Sequence, residues 1–189
     1  MHYPNPDGSG PIEGYLVGTG TVGLVFTHQL GSDLCEWKAQ ADRYAGLGYQ
    51  ALAITLGGEY DQAVLGAVAQ LRKHGATRIV LVGASMGGTS VLVAASEAQP
   101  PVQAVVSLSG PAQYADMDAS AAVAKLRIPV YFFAGHDDTS FAQDAQTLFS
   151  ETTETAKQLL IVDNTAFHGS ALLPLLGDRI DKFIKEHAG

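Results

Sequence analysis

The sequence predicts an α/β fold: a doubly wound, mostly parallel sheet of six to seven strands with helices on both faces, in a single domain spanning residues 1–189. Three observations lead there. Short apolar runs alternate with stretches of helical periodicity, the pattern of strand-helix repeats around a parallel sheet. The 21 glycines fall largely between those stretches, where chain reversals are needed. The runs are also apolar at nearly every position instead of every second one, as strands covered on both faces require.

Taken in order, Ile12–Val17 predicts an edge strand after a Gly- and Pro-rich start. Val22–Thr27 is the first buried strand, and it leads into His28-Gln29-Leu30-Gly31. Ser32 or Asp33 then caps a helix running to about Leu47, with Leu34, Trp37, Ala41 and Tyr44 on its apolar face. Tyr49–Leu56 is a second strand, and Asp61 to about His74 a second helix. Arg78–Val82 is a third strand, followed by Gly83-Ala84-Ser85-Met86-Gly87-Gly88 and a helix of small residues that Pro100-Pro101 must end. Val102–Leu108, Ile128–Ala134 and Gln158–Val162 complete the strands, with helices expected at Ala119–Leu126, Phe141–Thr152 and Leu172–His187.

Composition narrows the function. Hydrophobic residues make up 47% and charged residues 16%, a globular balance. The net charge is −8, and the basic residues form no stripe, which argues against nucleic acid and anionic membranes as partners. No apolar run is long enough to predict a membrane span. Met1–Pro6 lacks the basic and hydrophobic regions of a signal peptide, and the single cysteine, Cys35, fits a reducing compartment, so the expected location is cytoplasmic. Cys35 has no partners at metal-ligand spacing, and no metal or organic cofactor is expected. A monomer or small homo-oligomer is anticipated.

The sharpest chemical signal is Gly83-Ala84-Ser85-Met86-Gly87, a G-x-S-x-G between a buried strand and a helix. The bare pattern arises by chance roughly 0.1 times in a chain like this one, so its weight comes from that context. A nucleophile on a tight strand-to-helix turn needs small neighbours, and the following helix aims free N–H groups at developing negative charge. The N–H of Met86 is the natural oxyanion donor.

A serine needs a base, and the base a carboxylate that fixes its tautomer. Of six histidines, His168 follows the last strand, so its loop opens on the same sheet edge as Ser85. The loop Ala134-Gly135-His136-Asp137-Asp138 offers two aspartates, either able to reach His168, and Asp163 is a further candidate. Helix capping ahead of Phe141 accounts for one of the pair and leaves the other free.

With Gly83-Ala84-Ser85-Met86-Gly87-Gly88, Gly135-His136-Asp137-Asp138 and His168-Gly169 in place, the chain from about residue 20 to 187 resembles the α/β-hydrolase superfamily, particularly its small lidless esterases and dienelactone-hydrolase-like members. The resemblance implies the order Ser85, Asp138, His168, and favours Asp138 because the acid of that family usually stands third after the glycine. It implies Leu30 as second oxyanion donor, with Gln29 the alternative, and leaves His28 a supporting role. Where the family often has His-Gly, this chain has His28-Gln29. Dienelactone hydrolases proper carry a cysteine nucleophile, and here the elbow carries serine.

Only nineteen residues separate Leu108 from Ile128, too few for a cap domain. An open cleft lined by Leu30, Met86, Tyr114 and Phe167 is therefore expected, with Gln29, Tyr114 and Phe167 contacting substrate. The expected reaction is hydrolysis of small carboxylic esters through an acyl-enzyme on Ser85. Thioester or amide cleavage by the same triad is the alternative, and a non-catalytic binding protein on the same fold the rival from another class.

Overall fold

The computed structural model describes residues 1–189. Eight strands form one sheet in the order β1-β2-β4-β3-β5-β6-β9-β10. Its parallel centre is β3 (Val22–Thr27), β4 (Gln50–Ile54), β5 (Arg78–Ala84), β6 (Ala104–Leu108), β9 (Val130–Gly135) and β10 (Lys157–Val162). β2 (Pro11–Val17) lies antiparallel beside β4, and β1 (His2–Pro4) antiparallel on β2. β1 raises the count above the expected six to seven. Three residues ending in proline carry no periodicity, so only pairing with β2 makes them a strand.

Side chains along the central strands alternate between two cores, as the pleat demands. On β5, Ile79 and Leu81 enter one core, and Val80, Val82 and Ala84 enter the other. The first core is closed by α2 (Tyr60–Lys73), α3 (Met86–Glu97), α4 (Ala119–Val123) and α5 (Thr139–Glu151). The second is closed by α1 (Lys38–Gly46), α6 (Leu173–Leu176) and α7 (Arg179–Ala188).

Two expected helices are subdivided. The one after β3 begins as a 3₁₀ turn, Leu34–Trp37, whose cap Asp33 accepts the Cys35 N–H at 2.7 Å. Leu172–His187 is not continuous either: a 3₁₀ turn at Gly169–Leu172 leads into α6, and Gly177, with φ of 59°, breaks the chain before α7.

From β3 the chain steps to β4 on one side, then crosses back to β5 and on to β6 on the other. The loops after β3 and β5 therefore diverge, leaving a crevice at this switch point. Between β6 and β9 stand only the two-residue strands β7 (Gln113–Tyr114) and β8 (Met117–Asp118) and the short α4, so no cap domain covers that crevice. No helix is long and apolar enough to cross a membrane.

Candidate active site

Ser85 ends β5 and caps α3 with φ of 51° and ψ of −120°, a strained conformation for a residue with a side chain. The strain is held by packing and hydrogen bonds. The Ser85 N–H donates to Leu108 O at 2.8 Å, and Thr27 Oγ1 donates to Gly87 O at 3.0 Å. The first turn of α3 lies so close to the end of β3 that a Cβ on Gly87 would stand 2.6 Å from Thr27 O and 2.7 Å from His28 O. A Cβ on Gly88 would meet Ser107 Oγ at 2.8 Å. The glycines of the motif are thus demanded by backbone approach, and the turn carries Ser85 to the sheet edge.

His168 follows β10 in extended conformation, its side chain 31% exposed. Nδ1 lies 2.7 Å from Asp138 Oδ2, and that carboxylate is the more buried partner at 14%. The contact holds Nδ1–H toward Asp138 and turns Nε2 away from it, the tautomer a general base requires. Asp137, the neighbour that residue type alone cannot distinguish, turns elsewhere. It pairs at 2.8 Å with exposed His136, whose pKa is raised first by that hydrogen bond and then by the carboxylate's charge. Asp163 is exposed in the turn after β10.

The loops carrying Asp138 and His168 are tied together. The Asp137 N–H donates to Thr165 O at 2.9 Å, and a Cβ on Gly135 would stand 2.7 Å from that oxygen and 2.8 Å from Phe167 O. The Gly169 N–H donates to Ser109 Oγ at 3.1 Å, fixing the residue after His168 to the end of β6. Ser85 and His168 line one cleft of about 430 Å³ with Gln29, Leu30, Pro111, Gln113, Tyr114 and Phe141. The hydrogen-bond network includes the His168–Asp138 link and none from Ser85 Oγ to His168 Nε2.

Two expected wall residues are placed differently. Phe167 does not line the cleft, and its side chain is half exposed. In an extended segment adjacent side chains point to opposite sides, so His168 faces inward and Phe167 outward. Met86 keeps its N–H at the open start of α3, but its side chain is buried in the first core. Phe141 takes the wall position instead, its ring centroid 4.2 Å from that of His168. Pro111 joins it from the β6–β7 connection and Gln113 from β7.

On the opposite rim, Leu30 is 67% exposed. The Gln29 N–H is consumed by Glu36 Oε2 at 3.1 Å, whereas the Leu30 N–H has no partner within the protein. His28 is buried, and its ring contacts Gln29 O and the Leu56 N–H, a supporting arrangement. No group of three or more His, Cys, Asp or Glu residues is disposed to hold a metal ion.

Comparison with known proteins agrees with the architecture. A search of curated proteins finds no match. Among solved structures the chain is similar to a dienelactone hydrolase from Anabaena variabilis (TM-score 0.81, 20% identity, covering 99% of this chain and 98% of that one). It is similar to an esterase from Pyrococcus furiosus (TM-score 0.82, 15% identity, 100% and 90% covered). It also resembles Est1E from Butyrivibrio proteoclasticus with ferulic acid bound (TM-score 0.81, 15% identity, 99% and 98% covered). These likenesses establish the α/β-hydrolase fold. The model of the dienelactone hydrolase family matches residues 54–169, a span holding Ser85, Asp138 and His168 and more than half the sequence, so the chain belongs to the dienelactone hydrolase family and is a hydrolase acting on esters.

Proposed function

We propose that the chain hydrolyses small, uncharged carboxylic esters through an acyl-enzyme on Ser85, with His168 as general base and acid and Asp138 orienting it. The observation that carries this reading is the 2.7 Å contact of His168 Nδ1 with Asp138, made by a histidine that shares its cleft with Ser85.

In the first step Ser85 Oγ attacks the ester carbonyl as its proton passes to His168 Nε2, and Asp138 stabilises the imidazolium. The hydrogen bond between Oγ and Nε2 is one that commonly tightens only in the complex with substrate. The carbonyl oxygen, now an anion, takes hydrogen bonds from the N–H of Met86 at the start of α3 and of Leu30, each worth about 3 kcal/mol of barrier. His168 then gives its proton to the departing alcohol. Water, deprotonated by His168, attacks the acyl-enzyme and releases the acid and free Ser85.

The cleft supports the substrate class. Gln113 offers an amide, Leu30, Pro111, Tyr114 and Phe141 offer apolar surface, and no Lys, Arg, Asp or Glu lines it. A charged acyl group would lose hydration there without gaining a counter-ion. Open to solvent and uncapped, the site suits short or exposed esters over long buried chains.

The test is hydrolysis of p-nitrophenyl acetate, butyrate and octanoate by the native chain and by Ser85→Ala. The expected outcome is a preference for the short esters, with kcat down by at least ~10³-fold in the variant. Undiminished activity of Ser85→Ala would remove Ser85 from the mechanism. A native chain inert to all three esters and to a fluorophosphonate would favour a binding role.

A further inference from the structure

The loop between β3 and the 3₁₀ turn is held by several polar contacts, two of which converge on one peptide carbonyl. The Gln29 carbonyl is approached from two sides. His28 Nδ1 lies 2.8 Å from it, and the Ser32 N–H donates to it at 3.2 Å. His28 Nε2 accepts the Leu56 N–H at 2.9 Å, so the proton must sit on Nδ1, and Nδ1–H donates to Gln29 O. The ring is thus anchored just beyond the end of β4.

A trans peptide is planar, and its C=O and N–H point in opposite directions. The partner of the Gln29 carbonyl in that plane is the Leu30 N–H. Two donors pulling on the carbonyl therefore set the direction of the Leu30 N–H and, by polarising the amide, strengthen it as a donor.

The neighbouring peptide is held separately. Glu36, on the 3₁₀ turn, accepts the Gln29 N–H at 3.1 Å through Oε2, while its Oε1 is enclosed without a hydrogen-bond partner. A carboxylate facing an oxyanion directly would oppose catalysis, whereas Glu36 is engaged as acceptor of the Gln29 N–H. The turn carrying Glu36 is itself fixed, since Trp37 Nε1–H donates to Thr27 O at 2.9 Å and Leu34 N–H to Thr55 Oγ1 at 3.3 Å.

We infer that His28 and Glu36 are positioning residues for the oxyanion hole: Glu36 takes up the Gln29 N–H and His28 grips the Gln29 carbonyl, so that of these two loop amides it is the Leu30 N–H that is presented to the cleft. This rests on the assignment of Ser85 and Leu30 in the preceding section. Both residues lie outside the span matched by the family model, residues 54–169.

The experiment measures kcat and KM on p-nitrophenyl butyrate for the native chain, Glu36→Ala, Glu36→Gln, His28→Asn, His28→Leu and Ser85→Ala. Rates are expressed per site titrated by a fluorophosphonate for the chains that keep Ser85, and per mole of folded protein for Ser85→Ala. Glu36→Ala should lower kcat by about tenfold or more while KM changes by less than about threefold, because the lost interaction acts in the transition state. Glu36→Gln keeps an acceptor for the Gln29 N–H and should restore most of the rate. His28→Asn keeps a donor near the Nδ1 position and should outperform His28→Leu. If Glu36→Ala does not fold, Glu36→Asp withdraws the acceptor by one methylene and makes the same test.

A kcat unchanged in Glu36→Ala (or in Glu36→Asp), or a Glu36→Gln variant as slow as Glu36→Ala, overturns the proposal. Ser85→Ala separates the two levels. If it stays active, the underlying reading has failed, and if it is inactive while Glu36→Ala is fully active, only the clamp has failed.

Discussion

Around Ser85 the backbones of β3, β5 and α3 come so close that a methyl group has no room, whereas the wall of the cleft that Ser85 faces is built from side chains with space beside them. A Cβ on Gly87 would sit well inside van der Waals contact with two carbonyl oxygens. Leu30 on the rim is 67% exposed, and Phe141, Tyr114 and Pro111 are half buried. Sterics fix residue identity at the turn, and chemistry at the wall has only to suit what enters. In the proposed mechanism the turn sets the reaction class and the wall selects among substrates.

The most direct way to break this contrast is Gly87→Ala. The added carbon meets backbone of a neighbouring strand and cannot be relieved by rotating a side chain, so the variant should lose at least ~10²-fold in activity per folded molecule and several degrees in melting temperature. Rates combined with thermal denaturation by circular dichroism would check it. Near-native behaviour would mean the turn is looser than its geometry indicates.

Asp138→Asn tests the part of the site that depends on orientation instead of space. With an amide in place of the carboxylate, the imidazole loses its charge partner and correct tautomer, and kcat should fall by about 10³- to 10⁴-fold with the fold intact. Asp137→Asn, which disturbs only the exposed pair with His136, should leave activity within about twofold of native. Equal losses from the two substitutions would contradict the geometry.

Among the substitutions expected to impair the site, Phe141→Ala should have the smallest effect. It opens the wall beside His168, so kcat/KM should drop by about tenfold or less, with a larger change for butyrate than for acetate, and stability should move by about 1 kcal/mol. A loss as deep as that of Gly87→Ala would erase the distinction between turn and wall.

The same distinction explains what could be read from the sequence. Buried strands announce themselves because both faces must be apolar, and the elbow because only glycine tolerates such approaches, so β3, β5, β6, β9 and Gly83–Gly88 were legible. Asp137 and Asp138 share one turn, and which of them meets His168 depends on side-chain direction, which residue type does not encode. Phe167 stands beside His168 in sequence and on the opposite side of the chain in space. Phe141 reads as an ordinary core position at the start of a helix, although it packs on the His168 ring. Glu36 was invisible for another reason: its partner, the Gln29 N–H, is defined by the path of a loop, and no pattern of residue types marks that path.

Trp37 gives the loop an optical handle. It is the only tryptophan in the chain, fully buried, stacked on Phe26 at 5.2 Å and bonded through its indole N–H to Thr27 O, directly beside Glu36. Emission excited in the indole band therefore originates from one place, at the root of the segment whose Leu30 lines the cleft. Shifts in its wavelength or quenching on binding a phosphonate would follow that segment in real time, in the unlabelled native protein, separately from the colour of any released product.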